Sequence, residues 1–207
     1  DLLVLALLAM ACLLGTASLW ASEGLQVWLR ALWGGGMGAA VAAEAAIALA
    51  AFGLPTFAMG ALFSHLSARA SAEGIGFGRA LGVNTLGAAM AAPLFGVLLT
   101  PALGPKLVLV LIALGYLALT ARQAWRSARV WGPAIVAVAL AVLTAPLAFV
   151  DVPEGGRIVA YRDGIMAAVS VVEDADGVAR LRINNRQQEG SSSTLLVDGR
   201  QALLPVL

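Results

Sequence analysis

Few side chains in this sequence have both the type and the company that chemistry requires. Cys12 is the single cysteine and His65 the single histidine. A disulfide within the chain needs two thiols, and a structural zinc site needs several Cys or His ligands. Neither set exists, so no metal site is expected, and a Cys/His or Ser/His catalytic pair has little to build on. Glu44 stands alone in an Ala-rich apolar stretch. An intramembrane carboxylate is a candidate functional residue, because keeping it charged in lipid costs about 3 kcal/mol. The plainer reading places it near a helix end or in a bundle interior. His65, at the end of an apolar run, reads either as a proton carrier or as an interfacial histidine. Gly74-Ile75-Gly76-Phe77-Gly78 has the look of a nucleotide loop. The dinucleotide fingerprint, however, needs a strand before it and a helix after it in a βαβ unit, and this run joins two apolar segments. Asp174-Ala175-Asp176-Gly177 lacks the third aspartate-type ligand and the closing Glu of a calcium loop, and reads as a hairpin turn.

The elements that must position these residues follow from composition. The 207 residues are 60% hydrophobic and only 12% charged, with a mean hydropathy of +0.90. A soluble domain carries roughly 25% charged residues. The charges here fall between long apolar runs, the distribution of membrane spans joined by polar loops. A net charge of +1 and the lack of any Lys/Arg block give no argument for a nucleic-acid partner, and none is expected. The expected fold class is a mainly α membrane protein with about five transmembrane helices, followed by a small antiparallel β segment. Residues 1–151 form the helical domain and 152–207 the β segment.

The five expected spans are 2–20, one within 32–66, 80–103, 107–121 and 131–150. The second is longer than a bilayer needs, and Gly53-Leu54-Pro55 is expected to break it, as either a kinked helix or a helix followed by a re-entrant piece. Gly34 with Gly38, and Gly78 with Gly82, have the spacing of small residues at helix–helix contacts. Trp20, Trp125 and Trp131 sit where interfacial aromatics belong. With five crossings, Arg69, Arg79, Arg122, Arg126 and Arg129 share one side, opposite Arg30 and Lys106. The positive-inside rule then puts the Arg-rich loops in the cytoplasm and the tail outside. The assignment reverses if the second segment does not cross once. Both ends read as cut, Asp1 opening directly on an apolar run and Leu207 closing on one, so a longer protein is expected.

From Asp151 the pattern changes. Pro153-Glu154-Gly155-Gly156 reads as a linker, residues 157–161 and 165–172 as strands, and Asp163-Gly164 as the turn between them. Ala179, Leu181 and Ile183 alternate with Arg180 and Arg182, the period of a half-buried strand. Asn184-Asn185 and residues 189–193 read as loops, and Asp198-Gly199 as another turn. Some 55 residues make a small core, so this segment is expected to lean on more chain, on the helices or on a partner.

Two segments of the chain, one in the helices and one in the tail, carry a resemblance. Leu54-Pro55-Thr56-Phe57-Ala58-Met59-Gly60-Ala61-Leu62-Phe63 is similar to a run in bacterial membrane proteins fused to a spermidine synthase domain. Val83-Asn84-Thr85-Leu86-Gly87-Ala88, with Gly96 and Leu99-Thr100-Pro101, resembles the next span of that family. In the tail, residues 181–190 resemble the small N-terminal β-domain of spermidine synthases, and residues 198–205 the helix leading into their catalytic domain. The resemblance implies a multi-pass protein of the bacterial cytoplasmic (inner) membrane, whose partners are the lipid bilayer and a downstream Rossmann-like catalytic domain. It implies that the parent transfers an aminopropyl group from decarboxylated S-adenosylmethionine to a polyamine, with no cofactor held by this chain. Gln188 matches the family glutamine that approaches the nucleotide substrate. Val197 and Asp198 stand where the family has a Tyr followed by a polar residue. The β segment would cover the active-site mouth or mediate contacts in a homo-oligomer. The alternative is a transporter-like helical module with a regulatory β-tail, favoured by the break at 53–55 and by Glu44.

Overall fold

The computed structural model describes residues 2–34, 36–120, 125–148, 150, 152–184 and 187–194. Two compact units divide the chain: Asp1–Ala91 with Pro105–Leu147, and Ala92–Gly104 with Ala148–Leu207.

The first unit is helical. Its helices are α1 (Leu2–Trp20), α2 (Ser22–Trp33), α3 (Met37–Ala72), α4 (Phe77–Ala91), α5 (Thr100–Ala118, whose first turn belongs to the second unit) and α6 (Ala128–Leu143). Leu2–Trp20, Met37–Ala72 and the run Phe77–Ala118 are long and apolar enough to cross a membrane. Within that last run, residues Ala92–Leu99 are π-helical. Gly104 then leaves helical geometry at φ 79°, ψ 158°, with Pro105 next. Only glycine adopts that φ without strain, and proline cannot donate back to the preceding turn, so the run is broken there. The sequence-derived boundary between 103 and 107 falls on this break.

α1 is the axis of the unit. Ala9 packs with Leu117 of α5 and Val130 of α6. One turn further on, Leu13 packs with Val110 and Ala113 of α5 and Ala137 of α6. These pairings make α5 antiparallel and α6 parallel to α1. The opposite side of α1 meets α3. A Cβ on Gly15 would run into the Ala51 carbonyl and stand 3.2 Å from Pro55 Cγ. This contact has a backbone cause. Pro55 has no N–H to give to the carbonyl four residues earlier, which is that of Ala51. The freed carbonyl lies where α1 lacks a side chain. Thr16 and Ser18 turn their hydroxyls back to the carbonyls of Cys12 (2.8 Å) and Gly15 (2.7 Å), so the polar groups of α1 are satisfied within the helix.

Of the two forms expected at 53–55, the helix followed by a re-entrant piece is absent: α3 continues through Pro55 for 36 residues. A proline in an apolar helix is tolerated when a neighbouring helix attends to the freed carbonyl. The expected glycine contacts also move. A Cβ on Gly34, Gly38, Gly78 or Gly82 would meet nothing within 4 Å, and the close approach belongs to Gly15.

Gly74 ends α3. At φ 82° it takes the left-handed position, while Ile75 N–H donates to Ala70 O (2.9 Å) and Gly74 N–H to Ser71 O (3.0 Å). This is the Schellman arrangement that satisfies the last carbonyls of a helix. The Gly74–Gly78 run is thus a helix stop and restart, as its place between two apolar segments suggested.

In the second unit, β1 (Arg157–Asp163), β2 (Ala168–Glu173), β3 (Ala179–Ile183) and β4 (Gln187–Ser191) form an antiparallel meander in the order β1-β2-β3-β4. Gly164 N–H donates to Ala167 O (3.0 Å), closing a loop over residues that the sequence pattern had assigned to the second strand. Met166 at its tip is 92% exposed, because nothing there offers an apolar surface to meet. Residues 187–191, expected as loop beyond Gln188, pair with β3 instead. Ser170 and Val172 of β2 are buried, whereas Val169 and Leu181 on the other face are half exposed.

Candidate functional site

Glu44 lies in the second turn of α3 and is exposed. It lines a cleft of about 320 Å³ with Ser22, Glu23 and Gln26 of α2 and Phe52 of α3. The helix that creates this cleft is the element the sequence reading missed. α2 carries Leu25, Trp28, Leu29, Leu32 and Trp33 at spacings of three and four, with Glu23, Gln26 and Arg30 on the other side. That is the pattern of an amphipathic helix, and it was present to be read. Leu29 turns inward and is 5% exposed, while Trp28 (60%) and Leu32 (62%) face away from the protein. Polar side chains of α2 are thereby presented to Glu44. Two carboxylates and an amide line an open cleft, a setting that can hold a cation or water.

One end of the helical unit is closed by two side chains. Lys106 Nζ donates to the carbonyls of Ala141 (2.9 Å) and Thr144 (2.8 Å), the last acceptors of α6. Trp20 Nε1 donates to Ala145 O (3.1 Å). A cation at a helix C-terminus is favoured by the helix dipole, and the hydrogen bonds satisfy carbonyls the helix leaves open. At the opposite end Trp131 Nε1 donates to Trp125 O (2.8 Å), and the two indoles meet edge to face at 6.2 Å. The three expected interfacial tryptophans therefore all make defined contacts at helix ends.

His65 is exposed on α3. Gln188 lies on β4 in register with Arg182, which in turn stands opposite Ser170 of β2. Gln188 and Glu44 belong to different units. Val197, Asp198 and the expected helix over 198–205 lie outside the described residues. Among the described residues, no group of three or more His, Cys, Asp and Glu side chains is placed to hold a metal ion.

The turn at Asp174 is built on its carboxylate. Oδ1 accepts from Asp176 N–H (3.0 Å) and Val178 N–H (2.9 Å), and Oδ2 pairs with Arg180 at 2.6 Å. Gly177 at φ 78° completes the three-residue hairpin loop. The Val178 N–H foremost, with Arg180 and the Asp176 N–H adding, holds the Asp174 carboxyl below its ordinary range, against some opposing loss of water. Its oxygens are engaged by the turn itself, so the residue has a structural task.

Comparison with known proteins gives no match: no family model, no curated protein and no solved structure is similar to this chain.

Proposed function

We propose that this chain is the membrane anchor and N-terminal β-domain of a spermidine synthase-like protein, whose catalytic domain lies beyond Leu207. The observation that carries the reading is the order of parts. Helices of transmembrane length and composition come first, and a four-stranded antiparallel meander containing Gln188 follows. The motif runs quoted above place the resemblance on both parts, and the continuity of α3 through Leu54-Pro55 keeps the first run within one helix. In this reading the helices hold the parent in the bacterial inner membrane. The meander lies against the mouth of the downstream site, with Gln188 toward the nucleotide part of decarboxylated S-adenosylmethionine.

The transport reading loses one of its two supports, because α3 is not a discontinuous helix. Glu44 remains for it, in a cleft shared with Glu23 and Gln26.

The test is made on the protein extending beyond Leu207, purified in detergent and supplied with decarboxylated S-adenosylmethionine and putrescine. Spermidine detected by mass spectrometry, and lowered at least tenfold by Gln188→Ala, is the expected result. No product with putrescine or other diamines overturns the polyamine assignment.

A further inference from the structure

We infer that the hairpin of α3 and α4 holds an anionic phospholipid, its phosphate at Arg79 and Ser67 and an acyl chain along the groove between the helices. The groove has a volume of about 440 Å³ and runs between Phe63, Leu66 and Ser67 of α3 and Arg79, Val83 and Asn84 of α4. Two features make it more than an apolar crease. First, the Ser67 hydroxyl oxygen is buried and meets no hydrogen-bond partner. A buried donor without an acceptor is destabilising, and Ser18 and Ser22 avoid it by turning back to a backbone carbonyl. Second, the only charged side chain lining the groove is cationic, that of Arg79. An acceptor-rich, negatively charged group answers both at once, and a phosphodiester is such a group.

The depth of these groups fits a lipid. Ser67 lies five residues before the end of α3, Arg79 two residues and Asn84 seven residues after the start of α4. At about 1.5 Å per residue, Arg79, Ser67 and Asn84 stand roughly 3, 8 and 10 Å from the hairpin turn. The polar layer of a bilayer leaflet is about 5–7 Å thick. The phosphate then sits between Arg79 and Ser67 at the inner edge of that layer, with Asn84 just below it, while Phe63, roughly 14 Å from the turn, meets hydrocarbon. Basic pockets between helices are a recognised form of headgroup site. The edge-to-face pair of Phe63 and Phe77, with centroids 6.3 Å apart, ties the two helices beside the groove. The site needs no closure to form.

This inference rests on the membrane reading, and its test separates the two. The full chain is reconstituted into nanodiscs of phosphatidylcholine containing one-fifth phosphatidylglycerol, released into mild detergent, and the retained lipid is weighed by native mass spectrometry. Phosphatidylglycerol is expected to be enriched at least fivefold over its share of the bilayer. Arg79→Gln and Ser67→Ala should each reduce that enrichment by more than half. Val83→Trp, which fills the groove from an exposed position, should abolish it, and Arg129→Gln should leave it unchanged. Incorporation into nanodiscs without enrichment, or enrichment indifferent to Arg79→Gln, overturns the lipid site and leaves the membrane reading standing. A chain that does not incorporate at all overturns both.

Discussion

Gly15 and Asp174 show at the scale of single residues how backbone demands fix side-chain choice. A side chain at Gly15 would strike the carbonyl that Pro55 leaves free. Gly15→Ala is expected to destabilise the helical unit by about 1–3 kcal/mol, the usual penalty of overpacking. Thermal unfolding in detergent reads this, and Pro55→Ala should not mimic it, since it adds an N–H and removes a ring. Asp174 gives a pH dependence whose sign follows from the direction of its shift. Its folded pKa lies below the ordinary 3.8. The contribution of the carboxylate is complete above that ordinary value and is lost as the pH falls through the lower folded one. The hairpin should loosen on acidification below about pH 4, visible as faster exchange of the Val178 amide, and Asp174→Ala should flatten the profile. The hairpin itself was legible from Asp174-Ala175-Asp176-Gly177, because turn chemistry is local. The Gly15 contact was not. Its partner lies 36 residues away, and spacing statistics favoured glycine pairs that face open space.

Helices and strands were legible where hydrophobic pattern and length agreed, and misjudged where they parted. The first apolar run and the alternation over 179–183 became α1 and β3 with the expected bounds. α2 escaped because its polar residues looked like a loop between spans, although its apolar positions repeat every three or four residues. β4 escaped for the opposite reason. Gln, Glu, Gly and Ser have low strand propensity, and only pairing with β3 makes them a strand. Two predictions belong here. Gly74→Ala puts a Cβ on a left-handed residue in the Schellman turn and should cost about 1 kcal/mol in the α3–α4 hairpin. Replacing both Trp28 and Leu32 by Ser should leave the fold intact, because both face outward. It should weaken partition of a peptide spanning α2 into lipid vesicles severalfold, read from tryptophan fluorescence of Trp33.

The whole chain alternates in direction within its helical unit. α1 is antiparallel to α3 and α5 and parallel to α6: Gly15 meets Ala51 and Pro55 while Leu19 shares a cleft with Glu44 and Ile47, and Ala9 then Leu13 meet Leu117 then Val110 of α5 and Val130 then Ala137 of α6. α4 returns along α3. The α3–α4 turn and the C-terminal end of α6 therefore lie at opposite ends of the helical unit, as the expected five crossings require. Single cysteines at Ser71 and at Met166, in a Cys12→Ser background, should label from opposite faces of sealed vesicles with an impermeant maleimide. Labelling from the same face would remove the five-crossing count. Of the five expected spans, three runs are long and apolar enough to cross a membrane, and the one expected over 131–150 is the 16-residue helix Ala128–Leu143. α3 runs unbroken through Pro55, and its contact with Gly15 is one that no local pattern encodes. The end nearest the tail has one more consequence. Lys106 is the chain's single lysine, and its amine is already committed to the Ala141 and Thr144 carbonyls. Amine-reactive reagents should therefore modify it only when the last turn of α6 opens. Its acylation rate would be an internal clock for fraying at the root of the β-domain.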